Sequence, residues 1–347
     1  MTGPPILSRG PVPFATFMEE ALYGEGGYYR RSNLPIGEAG DYVTGSSLSP
    51  LFGRATARLL ARLDRALGRP ADLFEAAYGT GSHLESVVAA SASAGRRFRA
   101  WDRVARPVPA GVTRVAELEE IPEGGIEGLL FSYELFDALP VHRLIGREDG
   151  GLGELWVEDD GRGGFAWREG ELSSPALADL LRAPDISLEP GQVADLAPGW
   201  VPLYRQLARR LGRGLLVTCD YGFERLRLLD PRVRRHGTLA CYTRQRVHRN
   251  PFVKIGEQDL TAHVDFTALR QAGEAEGLAT VALTRQAFWL TACGLFEEIA
   301  GADLPTRQAA MALLDGEGMG QEIRVLVQAR GVEPGEVLDL AVLGATR

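Results

Sequence analysis

Three acidic positions follow apolar runs at points where a strand would end. Glu75 leads into a glycine-rich turn in FEAAYGTGSHL, Asp102 ends RFRAWD, and Glu134 stands in SYELFDALPV with Asp137 three residues on. Gly79 and Gly81 would let the backbone approach a ligand closely, and a carboxylate about 20 residues later can accept hydrogen bonds from both hydroxyls of a ribose. The combination points to a ligand carrying adenosine. The turn alone does not separate a dinucleotide from a nucleoside such as S-adenosylmethionine, since both use the crevice at the carboxyl ends of parallel strands. Plainer readings exist: an ordinary tight turn for the glycines, and a helix cap or solvated acid for Asp102. Glu134 and Asp137 could together orient an amine or cationic nucleophile and receive its proton, although an acid such as Asp137 also suits a helix N-terminus.

Other polar groups are less specific. Asp220 and Tyr221 follow GLLVTC and could line the same edge or serve as a cap. GEQDLTAHVDF holds His263 and Asp265, and a lone histidine beside a helix start reads as a hydrogen-bonded structural group rather than a catalyst. The five histidines lack metal-ligand spacing, so no metal is expected. The arginine-rich stretch from Arg225 to Arg249 reads as a solvated loop in a chain whose only lysine is Lys254, with acidic substrate as the other reading.

The elements that must position these groups alternate. Strand patterns at 71–77, 97–102, 126–134 and 212–222 are separated by helical ones, which implies a parallel sheet with helical crossovers. Upstream, Pro13 to Tyr23 and Pro50 to Leu67 have helical rhythm. From about His142 to Leu172, short strand-like pieces between glycine turns read as a β-meander inserted into the sheet order, and helical segments follow near 175–182 and 200–211. After residue 249 come a helix from about Phe266, LATVALT, a helix from about Gln286, and a closing strand IRVLVQA.

With 347 residues, 45% of them hydrophobic, the chain can bury a substantial core. A net charge of −8 argues against nucleic acid as a partner. Cys219, Cys241 and Cys293 have neither metal-ligand spacing nor the density of a disulfide scaffold, which suggests a reducing, cytoplasmic compartment. No apolar run approaches the roughly 20 residues of a membrane span, and no signal peptide is expected.

Several ordered blocks resemble the MidA-like methyltransferases: FMEEALYGEGGYY, GDYVTGSSLSPLFG, SYELFDALPV, the long GTLACYTRQRVHRNPFVKIGEQDLTAHVDFTAL at 237–269, and GMGQEIRVLV. Mitochondrial members of that family assist assembly of respiratory complex I by methylating an arginine in one of its subunits. The resemblance implies a Rossmann-like class I methyltransferase fold, α/β with a mostly parallel, doubly wound sheet. It also implies S-adenosylmethionine as donor, S-adenosylhomocysteine as product, and a protein arginine as acceptor. Carried over by position, Asp41 and Thr44 would help close the cofactor pocket, Glu75, Gly79 and Gly81 would form its turn, Asp102 would hold the ribose, and Glu134 and Asp137 would sit by the acceptor. The division expected is an N-terminal helical lid at 1–70 and a methyltransferase domain at 71–347 with a substrate-side insert at about 142–211.

Departures from the family pattern are Ala77 for a glycine, Tyr133 for an asparagine, Ser47 for a glutamate and Gln245 for a histidine. Alanine fits a tight turn where its φ is negative, and Tyr133 is expected to crowd the pocket or stack on the ligand. They imply a divergent member, for which an acceptor other than arginine stays open. The rival readings are a noncatalytic assembly factor binding a client protein, a small-molecule O- or N-methyltransferase, and a nicotinamide-dependent oxidoreductase.

Overall fold

The computed structural model describes residues 10–31, 45–91, 95–181, 186–315 and 319–344, with the side chains of 47, 179 and 319 also outside the description. The chain forms two compact units that interleave in sequence. One comprises 43–135, 203–221 and 269–347, the other 1–42, 136–202 and 222–268.

The first of these units is built on a sheet whose strands we number within it: β1 (Asp72–Ala76), β2 (Phe98–Trp101), β3 (Val112–Arg114), β4 (Ile126–Tyr133), β5 (Leu211–Phe223), β6 (Ala279–Arg285) and β7 (Ile323–Arg330). The spatial order is β3-β2-β1-β4-β5-β7-β6. Strands β1 to β5 pair in parallel, and β7 runs antiparallel to both β5 and β6. The order reverses at β1, whose neighbours β2 and β4 lie on opposite sides. A parallel sheet opens a ligand crevice at the carboxyl ends of the strands at such a point. The parallel part is what the alternating pattern implies, and the whole is the Rossmann-like arrangement that the family resemblance implies.

Helix α1 (Pro50–Leu67) shows how the sequence writes these elements. Ser49 caps it by accepting the Leu51 N–H at 3.3 Å, Pro50 occupies the first turn where its missing N–H costs nothing, and Gly68 ends it at φ +70°. Leu51, Leu59, Leu60 and Leu63 are all fully buried. Each such leucine is worth about 1.5–3 kcal/mol relative to exposure. Helix α2 (Ser82–Ala90) follows the turn after β1, and α3 (Gln286–Cys293) follows β6.

In the other unit, the predicted meander does form, but not within the parallel sheet. Strands 142–146, 152–159, 165–170 and 193–196 make a separate antiparallel sheet with Val12–Pro13 at its edge. Short glycine turns favour antiparallel pairing, whereas joining a parallel neighbour requires a crossover. Strands 240–243, 246–248 and 259–261 make a second small sheet. The helix Phe14–Tyr23 buries Phe14 and Phe17, which meet Trp167, Phe165 and Phe252 at centroid distances of 5.1 to 5.8 Å. Among the described residues, no helix is long and apolar enough to cross a membrane.

Candidate functional site

The turn after β1 carries positive φ at every second residue: Ala77 at 60°, Gly79 at 54° and Gly81 at 80°. The three N–H groups are spent within the protein, Ala77 on Trp101 O, Gly79 on Asp102 and Gly81 on Tyr78 O, so the turn is held tightly and would meet a ligand by its glycine surface. A Cβ built on Gly79 would meet nothing within 4 Å, so the turn faces open space there. Ala77 corrects the negative φ expected of it. Its N–H donates to Trp101 O at 2.7 Å, and that bond to the neighbouring strand's end holds the left-handed conformation at a cost of about 1–2 kcal/mol.

Asp102, directly after β2, accepts the Gly79 N–H on Oδ2 at 3.1 Å and the Val104 N–H on Oδ1 at 3.0 Å. Burial pushes its carboxyl up from the ordinary range, opposed by those two N–H donors. The loop beyond is clasped by Tyr78, whose hydroxyl donates to Arg106 O at 2.6 Å and accepts the Arg106 N–H at 3.0 Å. The structure thus joins Gly79 to Asp102 by a hydrogen bond, with Gly81 two residues on in the same turn. The open face of the turn and the carboxylate tied to it fit an adenosine whose ribose hydroxyls need an acceptor.

Glu75 lies beneath this surface. It is 2% exposed, and its Oε2 is 2.7 Å from His83 Nδ1. His83 Nε2 is 3.1 Å from Thr56 Oγ1, and the Thr56 hydroxyl donates to Phe52 O at 3.1 Å. Thr56, His83 and Glu75 thus form one buried chain of polar side chains. The acid therefore locks α2 to α1 and β1 from below. Sequence reasoning missed His83, although a histidine in the first turn of the helix after the glycines was the available signal.

Glu134 follows the last residue of β4. By the register that pairs Ala76 with Ser132, it lies at the same sheet edge as the turn. It is partly buried and has φ +51°, a region that a glutamate rarely occupies. Its N–H donates to Cys219 O at 2.9 Å on β5. Tyr133 neither crowds the open turn nor stacks beside it. At 4% exposed, its ring packs edge-on against Phe52, with centroids 5.6 Å apart, and its hydroxyl donates to Gln286 Oε1 at 2.6 Å. Burial pushes its hydroxyl well above the usual phenol range, so it stays a donor. A side chain at Gly45 would collide with that hydroxyl, which explains the glycine there.

The unit boundary falls between Leu135 and Phe136, so Asp137 belongs to the other unit. There it is 4% exposed, with its carbonyl accepting the Ala262 N–H at 3.0 Å. Asp220 is fully buried in β5 and accepts the Tyr221 N–H at 2.9 Å. Asp265 caps the following helix through Thr267 N and Ala268 N and pairs with Arg225 at 2.7 Å. Asp41 and Thr44 lie outside the described residues.

Residues 85–284 match the model of a family described as "Putative S-adenosyl-L-methionine-dependent methyltransferase". The chain is 27% identical over 318 residues to the protein arginine methyltransferase NDUFAF7 homolog, mitochondrial, of Drosophila melanogaster, covering 78% of this chain and 69% of the relative. It is 24% identical over 326 residues to the Xenopus tropicalis protein arginine methyltransferase NDUFAF7, mitochondrial, with the same coverage. Among solved structures, a superfamily member from Burkholderia thailandensis bound to S-adenosyl-homocysteine superposes with a TM-score of 0.84 at 29% identity, covering 95% of this chain and 90% of that one. The sheet order, the glycine turn tied to a strand-end aspartate, and a family match spanning more than half of the sequence agree: the chain belongs to the S-adenosyl-L-methionine-dependent methyltransferase family.

Proposed function

We propose that this enzyme methylates an arginine nitrogen of a protein substrate, with Glu134 as the carboxylate beside the acceptor. The observation that carries the proposal is the left-handed backbone of Glu134 at the carboxyl end of β4. Uncommon φ in a residue with a Cβ costs about 1–3 kcal/mol and persists where the surroundings enforce it, commonly at functional sites. The names of the arginine-methylating relatives supply the acceptor class.

When bound, S-adenosylmethionine supplies an electrophilic methyl group on sulfonium and leaves as S-adenosylhomocysteine. In this reading the backbone of Gly79 and Gly81 receives the donor, Asp102 holds its ribose, and Asp41 and Thr44 help close the pocket. Glu75 acts indirectly, by holding His83 and thereby the start of α2. An arginine guanidinium has a pKa above about 12 and spreads its charge over three nitrogens. Glu134 localises that charge by accepting from one N–H and takes the proton displaced as the new nitrogen–carbon bond forms. Asp137, expected beside the acceptor, is 4% exposed and belongs to the other unit; the carboxylate of this proposal is Glu134.

Ala77 and Tyr133 would motivate a noncatalytic assembly role, yet Ala77 keeps the glycine-like φ and Tyr133 is turned into packing. Both departures leave the turn intact, which favours the catalytic reading. The cytoplasm is part of the proposal; Cys219, Cys241 and Cys293 are free, buried thiols, compatible with a reducing compartment. The test is methyl transfer from labelled S-adenosylmethionine to arginine-containing proteins, compared with Glu134→Gln. Label found only on small molecules or on residues other than arginine overturns the acceptor.

A further inference from the structure

The unit that contains 222–268 holds a cavity of about 410 Å³ that none of the groups above uses. Arg234, Arg249, His248 and His263 line it, and no Asp or Glu does. Three arginines on the same stretch of chain are paired with acids: Arg225 with Asp265, Arg232 with Asp230 and Arg235 with Glu189. Arg234 and Arg249 have no carboxylate partner among the described residues. Arg234 is nevertheless fixed in place. Its guanidinium lies 3.9 Å from the centroid of Phe223, which Arg227 approaches at 4.7 Å, and it donates to Arg227 O at 2.8 Å.

Asp195, the acid behind this wall, is already engaged. It faces Arg143 at 3.0 Å and accepts the backbone N–H groups of Thr238 and Leu239 at 2.5 and 2.9 Å. His263 lies against Phe223 at 5.5 Å, and burial together with Arg234 holds its pKa down to about 4, with Asp195 acting in the opposite sense and Arg249 in the same one. The ring is therefore neutral at pH 7. Its Nδ1 is buried with no hydrogen-bond partner, which leaves one polar atom of the ring unused inside the protein. Val233 and Val247, 68% and 63% exposed, add apolar surface to the same lining.

We propose that this cavity is a binding site for an organic oxyanion, a carboxylate or phosphate on a partly apolar body. Two guanidiniums outside any ion pair among the described residues, with Asp230 acting on Arg234 only at a distance, match an oxyanion's charge and geometry and bind it by charge-assisted hydrogen bonds. The valines receive the body. A volume of about 410 Å³ is far larger than an inorganic ion needs and lies in the range of small-molecule sites. The site depends on no property of the methyl-transfer centre, so its test reads binding and not turnover.

The experiment titrates the full chain, with histidine nitrogens labelled, with inorganic phosphate and separately with hexanoate at pH 7. Saturable shifts of the His263 ring signals are expected, and the tighter of the two probes identifies the anionic group. Arg249→Gln, at an exposed position, should weaken that probe by roughly tenfold, about 1.4 kcal/mol, with an unchanged melting temperature. Arg246→Gln, outside the lining, should leave affinity as it was. If neither probe shifts His263 at millimolar concentration, or if Arg246→Gln weakens binding as much as Arg249→Gln, the proposal is overturned.

Discussion

Gly79 donates its main-chain N–H to Oδ2 of Asp102 at 3.1 Å. The turn after β1 and the acid after β2 are therefore one hydrogen-bonded assembly. A carboxylate oxygen has more than one acceptor direction, so the bond to Gly79 fixes Asp102 without exhausting it. Preorganisation of this kind lowers the ordering cost of binding.

Replacing Asp102 with Asn keeps one acceptor oxygen but removes the charge. Affinity for S-adenosylhomocysteine should fall by roughly 10- to 100-fold, the scale of a charged hydrogen bond, as read by calorimetry. Stability should move the other way at neutral pH. Burial raises the folded pKa of Asp102, so its favourable contribution is fully present below the ordinary value of 3.8 and is lost as pH rises through the folded pKa. Asp102→Asn should thus resist urea better than the parent at pH 7, with a smaller advantage near pH 4. A loss of resistance at pH 7 would show that the backbone N–H bonds outweigh the desolvation.

Ala77 offers a cleaner contest between two effects. Glycine there would relieve about 1–2 kcal/mol of left-handed strain while adding about 0.4–1 kcal/mol of unfolded-state entropy. Strain wins by a small margin, so Ala77→Gly should raise the melting temperature by roughly 1–3 °C. A lower melting temperature would mean that the alanine methyl packs well enough to offset its φ.

Glu75 and His83 make a buried polar pair with side chains 3% and 2% exposed. Removing one partner strands the other, whereas removing both leaves an apolar interior. His83→Leu should cost about 3–5 kcal/mol in chemical denaturation, and the double variant Glu75→Leu with His83→Leu should be more stable than His83→Leu alone. Additive losses would place the energetic weight elsewhere, in packing of the His83 ring against Phe131 at 4.9 Å.

What the sequence made legible was local. The ends of α1 are marked by Ser49, Pro50 and Gly68, and the ends of β1, β2 and β4 by the acids that follow them. Gly79 and Asp102 could be paired because their spacing reflects one strand–helix–strand crossover. Contacts that depend on packing were not legible. Nothing near residue 83 announces that its partner is Glu75, and nothing near Tyr133 announces Gln286, 153 positions away. The separate meander sheet was hidden for the same reason, because its edge strand Val12–Pro13 comes from the other end of the chain. The φ of Ala77 contradicts the residue's own preference and is imposed by the bond to Trp101.

Glu134 is where conformation and chemistry can be separated by substitution. Gln at 134 keeps the side chain's length and one acceptor oxygen but cannot take a proton, so folding and S-adenosylhomocysteine affinity should be retained. Turnover should fall by roughly 10²- to 10⁴-fold, the range of a positioned general base. Gly at 134 tolerates φ +51° without a Cβ clash, so it should fold as well as the parent and be at least as inactive as the Gln variant. The two substitutions disagree in backbone strain and agree in lacking the carboxylate. Parent-like turnover in Glu134→Gln would remove the acid from the mechanism, whereas an active Gln variant beside an inactive Gly variant would leave Glu134 a positioning role through its remaining hydrogen bonds.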